Sequence, residues 1–166
     1  MKSSTLILAA IAAPAALALA ACSERPAAGD SAAEAPAAES ATSAPATMPR
    51  STSPEGARVF FITPVDGSTV SNPVRIEFGI EGMDVVPAGS DAPNSGHHHL
   101  IIDAGLPDLG LPIPANDNYI HFGDGSTSTE RELAPGEHTL QLLLGDHLHV
   151  PHEPPVMSPV ITITVE

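Results

Sequence analysis

Apolar and polar residues alternate with a period of two along most of the chain after residue 57, and short runs of this kind are cut by Pro and Gly. Residues two apart on an extended chain share a face, so this pattern predicts half-buried strands. Val74, Ile76, Phe78 and Ile80 fall on one side of the run 73–80, with Arg75 and Glu77 on the other. Leu140, Leu142 and Leu144 do the same in 138–144, the most apolar run. Further strands are expected over 58–63, 97–103, 119–123, 127–133 and 159–165. Asp66-Gly67, Asp124-Gly125 and Pro135-Gly136 supply turn signals between them. Residues 104–118, rich in Pro, Gly and Asp, predict a long irregular connection, and a loop of that length inside a compact domain is often functional. About seven strands in roughly 110 residues, with no stretch of helical period, predict an all-β fold: an antiparallel immunoglobulin-like β-sandwich. An open barrel is the alternative.

The first 56 residues follow a different pattern. Lys2 precedes an apolar, alanine-rich run from Thr5 to Ala21, the layout of an export signal. Leu19-Ala20-Ala21-Cys22 resembles the lipoprotein box of bacterial exported proteins. That resemblance implies cleavage before Cys22, lipid attachment to its thiol, and a membrane-anchored protein facing the periplasm. Ser23, where an aspartate would signal retention, implies the outer membrane. Residues 22–56 hold Ala, Pro, Ser, Thr and Glu and almost no large apolar side chains. They predict a disordered tether, which Pro26, Pro36, Pro45, Pro49 and Pro54 keep extended. The expected organisation is therefore a signal peptide over 1–21, a tether over 22–56 and a β-sandwich over 57–166.

Composition narrows the function. The formal charge is -14 and becomes -15 once the leader and its lysine are removed, a surface that repels phosphate backbones and argues against nucleic acid as a partner. The single cysteine excludes an intrachain disulfide. Eight histidines against six Lys plus Arg is an unusual ratio, and the histidines cluster.

His97 and His99 open one expected strand; His147 and His149 follow the end of another. In an immunoglobulin-like order these two strands are antiparallel neighbours, so the start of one meets the end of the other. Two His-x-His pairs facing each other supply three or four imidazole nitrogens, which suits Zn(II), Cu(II) or Ni(II) and suits Ca(II) or Mg(II) poorly. Copper or zinc is the expected cofactor. Asp146 and Asp103 are candidates as ligands or as acceptors that orient a ring, and His121 and His152 as further ligands. The same residues have plainer readings. His98, on the face opposite its neighbours, suits packing or a hydrogen bond, and His138 suits a structural role behind its Pro-Gly turn. Exposed rings at a strand end would account for His97 to His99, and loop capping for His147 and His149. Met83 and Met157 suit packing better than thioether ligation.

Four stretches together resemble the bacterial family called domain of unknown function 4399. They are Gly96-His97-His98-His99-Leu100-Ile101-Ile102-Asp103, Ile120-His121-Phe122-Gly123, the run 133–142 from Leu133-Ala134-Pro135-Gly136, and the run 146–156 from Asp146-His147-Leu148-His149. The likeness spans Val59 to Val165. It implies an exported β-rich domain, often in lipoproteins, with no assigned activity. Ser126-Thr127 stands where the family carries Gln-Thr. Gly96 to His99 is also similar to the Gly-x-His-x-His strand of copper–zinc superoxide dismutases, but the disulfide and bridging-histidine loop of those enzymes are lacking. Three functions compete on this reading. The first is an envelope lipoprotein that binds, stores or delivers a metal. The second is a non-catalytic module presenting the 104–118 loop to an envelope protein or glycan. The third is a metalloenzyme, for which no nucleophile–base pair or catalytic signature stands out, so binding is preferred to catalysis.

Overall fold

The computed structural model describes residues 47–166. The expected leader, Cys22 and the tether up to residue 46 lie outside the described residues. Nine strands follow in chain order: β1 (Arg58–Thr63), β2 (Thr69–Val70), β3 (Val74–Glu81), β4 (Asp84–Val85), β5 (Ser95–Ile102), β6 (Tyr119–His121), β7 (Ser128–Arg131), β8 (Gly136–Gly145) and β9 (Ile161–Val165). Among the described residues there is no helix. A three-stranded sheet has the order β1-β3-β7, and a larger sheet the order β2-β9-β8-β5-β4, with β6 also on β5.

All seven strands expected from period-two alternation are present. The two additional ones, β2 and β4, have two residues each, too few to leave a periodic signal. Both pair in parallel, β2 with β9 and β4 with β5, so the fold is a sandwich with mixed rather than purely antiparallel pairing.

One core fills the space between the sheets. Val59, Val74, Ile76 and Phe78 come from the smaller sheet, and Leu100, Ile102, Leu140, Leu142, Leu144 and Ile163 from the larger. Burying each such side chain contributes on the order of 1.5–3 kcal/mol. The neighbour relation that matters most for the histidines also holds: β5 and β8 are antiparallel, with His97 opposite Gly145 and Leu100 opposite Leu142.

β5 is buried along its whole length. Its even-numbered residues, His98, Leu100 and Ile102, face the sandwich core; His98 packs edge-on against Phe78 at 4.7 Å between ring centroids. Its odd-numbered residues face the outer side of the larger sheet. There Ile101 and Leu143 form a second apolar cluster with Ile113, and Leu109 and Tyr119 pack against it. Ile113 and Leu109 belong to the long 104–118 connection, which therefore roofs the outer face. The histidine face of β5 lies under this roof.

Residues 47–56, at the end of the expected tether, are ordered against the domain. Ser53 N donates to Glu153 O at 3.2 Å, Glu153 N to Ser51 O at 2.9 Å, and Ser53 Oγ to Pro154 O at 2.7 Å. Arg50 Nε donates to Pro151 O at 2.9 Å, and its guanidinium also pairs with Glu153. These anchors are polar and distant in sequence, so a reading based on apolar content assigns the segment to the tether.

Candidate metal centre

Four imidazoles converge on the outer face of β5. His97 and His99 project together because they are two apart on the strand. His121 joins them from β6, directly opposite His99 in the ladder. His149 arrives from the turn after β8. Ring centroids of His97 lie 4.8 Å from His99, 4.9 Å from His121 and 4.9 Å from His149; those of His121 and His149 are 4.8 Å apart. The longest separation, His99 to His149, is 6.1 Å. His97 and His99 are each 1% exposed, whereas His121 and His149 are half-buried and form the open side.

His97, His99 and His121 each offer a ring nitrogen such that the three lie within 4.8 Å of one another. A tetrahedral ion with bonds of about 2.0–2.1 Å needs its nitrogens about 3.4 Å apart. Closing from up to 4.8 Å to that spacing requires the rings to rotate. Neither ring nitrogen of His97 or His99, nor Nε2 of His121, has a hydrogen-bond partner among the described residues. A buried imidazole without partners is costly in a folded protein, where nearly all buried polar groups are satisfied.

Electrostatics keep these rings neutral. Burial is the main cause and the neighbouring His149 and His121 add to it, taking the His97 imidazole from an ordinary 6.5 down to about 4. Burial, followed by the surrounding histidines, takes His99 down to about 2. His121 is lowered by burial first and His149 second. A neutral imidazole with a free lone pair is the form that binds a metal ion.

Glycines make room for the rings. A Cβ on Gly145 would lie 2.8 Å from Cε1 of His99, and one on Gly123 would lie 2.4 Å from Cε1 of His121. Both glycines are legible in the sequence, as Ile120-His121-Phe122-Gly123 and Gly145-Asp146, but their role needs the cross-strand register.

Four of the expected site residues, Asp146, His147, His152 and Asp103, do not join the cluster. The expectation that His147 and His149 share a face assumed an extended chain, but β8 ends at Gly145 and the chain turns. Asp146 builds this turn: its Oδ1 accepts from Leu148 N at 2.9 Å and Val150 N at 3.0 Å, and its backbone carbonyl from His149 N at 2.9 Å. Its Oδ2 accepts from Ser51 Oγ at 2.8 Å. Burial alone pushes this carboxyl upward; the donated hydrogen bonds outweigh it and hold it below the usual carboxylate range. Asp146 is thus a turn-former rather than a ligand. The turn sends His147 outward, its Nδ1 3.5 Å from Asp91, and brings His149 inward at a left-handed φ of 66°. His152 is buried elsewhere, where its Nε2 donates to Ser95 O at 3.2 Å.

Asp103 is likewise away from the cluster. It accepts from Thr139 N at 2.8 Å and binds His138 Nδ1 at 2.6 Å, while His138 Nε2 donates to Ala134 O at 2.8 Å. His138 is therefore structural. Met83 packs in the sandwich core, and Met157 makes a bridge to Leu143. Sequence reasoning missed Ser51, which holds the turn-forming carboxylate from 95 residues away.

Fold and site together define a β-sandwich domain with four converging imidazoles on one outer sheet face, two of which, His97 and His99, are buried and without hydrogen-bond partners among the described residues. The chain belongs to the family described as a domain of unknown function, DUF4399, whose model matches residues 76–166. That span contains all four converging histidines. No curated protein and no solved structure matches the chain.

Proposed function

We propose that this protein is an envelope lipoprotein whose β-sandwich binds a transition-metal ion, copper or zinc, for storage or delivery. His97, His99 and His121 supply three nitrogens and His149 a fourth. The observation that carries this reading is the set of three ring nitrogens, mutually within 4.8 Å, from His97 and His99, whose ring nitrogens all lack hydrogen-bond partners among the described residues, and His121, whose Nε2 lacks one. An all-imidazole donor set favours borderline ions such as Cu(II) and Zn(II) over oxygen-seeking ones. The half-buried His121 and His149 leave one side through which an ion reaches the site. The lipid anchor rests on Leu19-Ala20-Ala21-Cys22, and the export on the apolar run before it. Two acyl chains or more hold a protein stably at a membrane.

Elemental analysis of untagged protein, followed by calorimetric titration of the stripped protein with Cu(II) and Zn(II), tests the site. Submicromolar binding that is lost in the double variant His97→Ala/His149→Ala supports it. Micromolar or weaker binding in the parent, or binding unchanged in the variant, overturns it. Labelling with radioactive palmitate in the parent and in Cys22→Ser tests the anchor independently.

A further inference from the structure

Three of the four imidazoles stand on a rigid ladder. His97 and His99 are on β5, held between β8 and β6, and His121 is on β6 in register with His99. His149 alone stands on a turn, with a left-handed φ of 66° that a non-glycine residue rarely adopts. Something must hold it there. Two sets of contacts do so, and both lead to the segment 48–53. Ser51 Oγ donates to Asp146 Oδ2, and Asp146 in turn closes the 146–150 turn by accepting from Leu148 N, His149 N and Val150 N. On the other side, His149 O accepts from Ile113 N at 2.8 Å, and the 104–118 loop that carries Ile113 is itself held where Met48 N donates to Gly110 O at 2.8 Å. Arg50 and Ser53 fasten the same segment to 151–154.

We propose that residues 48–53 are a strap that sets the fourth donor: Ser51 is a positioning residue for His149, acting through Asp146. This rests on the metal-binding reading above. With the strap docked the ion has four imidazoles; with it lifted, His149 leaves its strained conformation and one coordination position opens. Coupling between two sites is reciprocal, so an ion held by His149 must also hold the strap down. A domain whose N-terminal side leads toward a membrane anchor can thereby change its grip on an ion when the strap is displaced.

The full chain loaded with one equivalent of Cu(II) provides the test. In Ser51→Ala, the Cu(II) paramagnetic resonance spectrum is expected to shift toward that of His149→Ala, with affinity about 10-fold weaker, the scale on which residues orienting a ligand act. Ser51→Thr, which keeps the hydroxyl, restores the parent spectrum. Added to His149→Ala, the Ser51 change has no further effect. Hydrogen exchange of the 48–53 amides slows on Cu(II) loading in the parent and not in His149→Ala. A parent that binds Cu(II) while Ser51→Ala keeps its spectrum and affinity overturns the strap and leaves the metal site standing. Equal loss from Ser51→Ala in the parent and His149→Ala backgrounds overturns it too. A parent that binds neither Cu(II) nor Zn(II) overturns the site itself.

Discussion

His99 on β5 and His121 on β6 stand directly opposite each other, their ring centroids 5.1 Å apart. Side chains in such a cross-strand pair are held by the ladder itself, with Cβ atoms about 4.5–5.5 Å apart. The separation of these two donors is therefore fixed by strand register and not by loop conformation. His147 has no such constraint and points toward Asp91. Replacing His99 or His121 with alanine is expected to weaken Cu(II) or Zn(II) binding by at least about 100-fold, beyond the usual effect of changing a residue that only orients a ligand. His147→Ala should leave affinity unchanged. Competition titrations against a chelator of known strength separate these outcomes; equal losses at positions 121 and 147 would contradict the register argument.

Room for these rings comes from absent side chains. A Cβ at Gly145 would press on His99 and come within 3.3 Å of the Ile113 side chain, and a Cβ at Gly123 would press on His121. Gly145→Ala and Gly123→Ala are expected to weaken metal binding more than they lower thermal stability, because a rotated ring relieves the clash. Gly96 behaves differently. Its Cβ would meet the backbone oxygen of Gly145 at 2.6 Å and Leu144 at 2.9 Å, neither of which can turn away. Gly96→Ala should therefore act as overpacking, costing about 1–3 kcal/mol of stability. Denaturant unfolding and metal titration of all three variants give the comparison.

His98 faces the sandwich core, fully buried against Phe78, with no hydrogen-bond partner for either ring nitrogen among the described residues. An unsatisfied buried polar group costs about 1–3 kcal/mol. His98→Leu, similar in size and apolar, is accordingly expected to stabilise the metal-free protein by a comparable amount while leaving metal affinity unchanged, since His98 lies on the opposite face from the cluster. A loss of stability on unfolding in urea would mean that His98 has a polar role in the core.

The fold was legible wherever burial followed a period of two. Val74, Ile76 and Phe78 face the core as their spacing predicts, and so do Leu140, Leu142 and Leu144. The pairing of β5 with β8, inferred from strand order, brought the start of one histidine stretch to the end of the other. The same rule failed at His147 and His149 because it assumes an extended chain. There Asp146 captures the amides of Leu148 and Val150 and closes a turn, which rotates one histidine in and the other out. Ser51 and Arg50 were illegible for another reason. Their side-chain bonds reach residues about 100 positions away, and no local pattern encodes such a partner.

Acid should expose two kinds of histidine with opposite signs. Burial holds His97 and His98 at about 4, below the unfolded value of 6.5. Between pH 6.5 and 4 the unfolded chain takes up protons that the folded one refuses. Stability from these groups is therefore complete above pH 6.5 and falls as pH drops toward 4. Each contributes a slope of at most about 1.4 kcal/mol per pH unit. His138 runs the other way. The carbonyl of Ala134 and the carboxylate of Asp103 raise it above 6.5, so its contribution is complete below 6.5 and fades as pH rises through the folded value. Metal-free protein is thus expected to unfold progressively more easily in urea below pH 6.5, and His98→Leu should flatten that decline. His138→Gln should lower stability most below pH 6.5 and least in alkali. Urea midpoints measured from pH 4 to 9 decide both points: a parent whose stability does not fall below pH 6.5 would show that the buried rings are not held neutral.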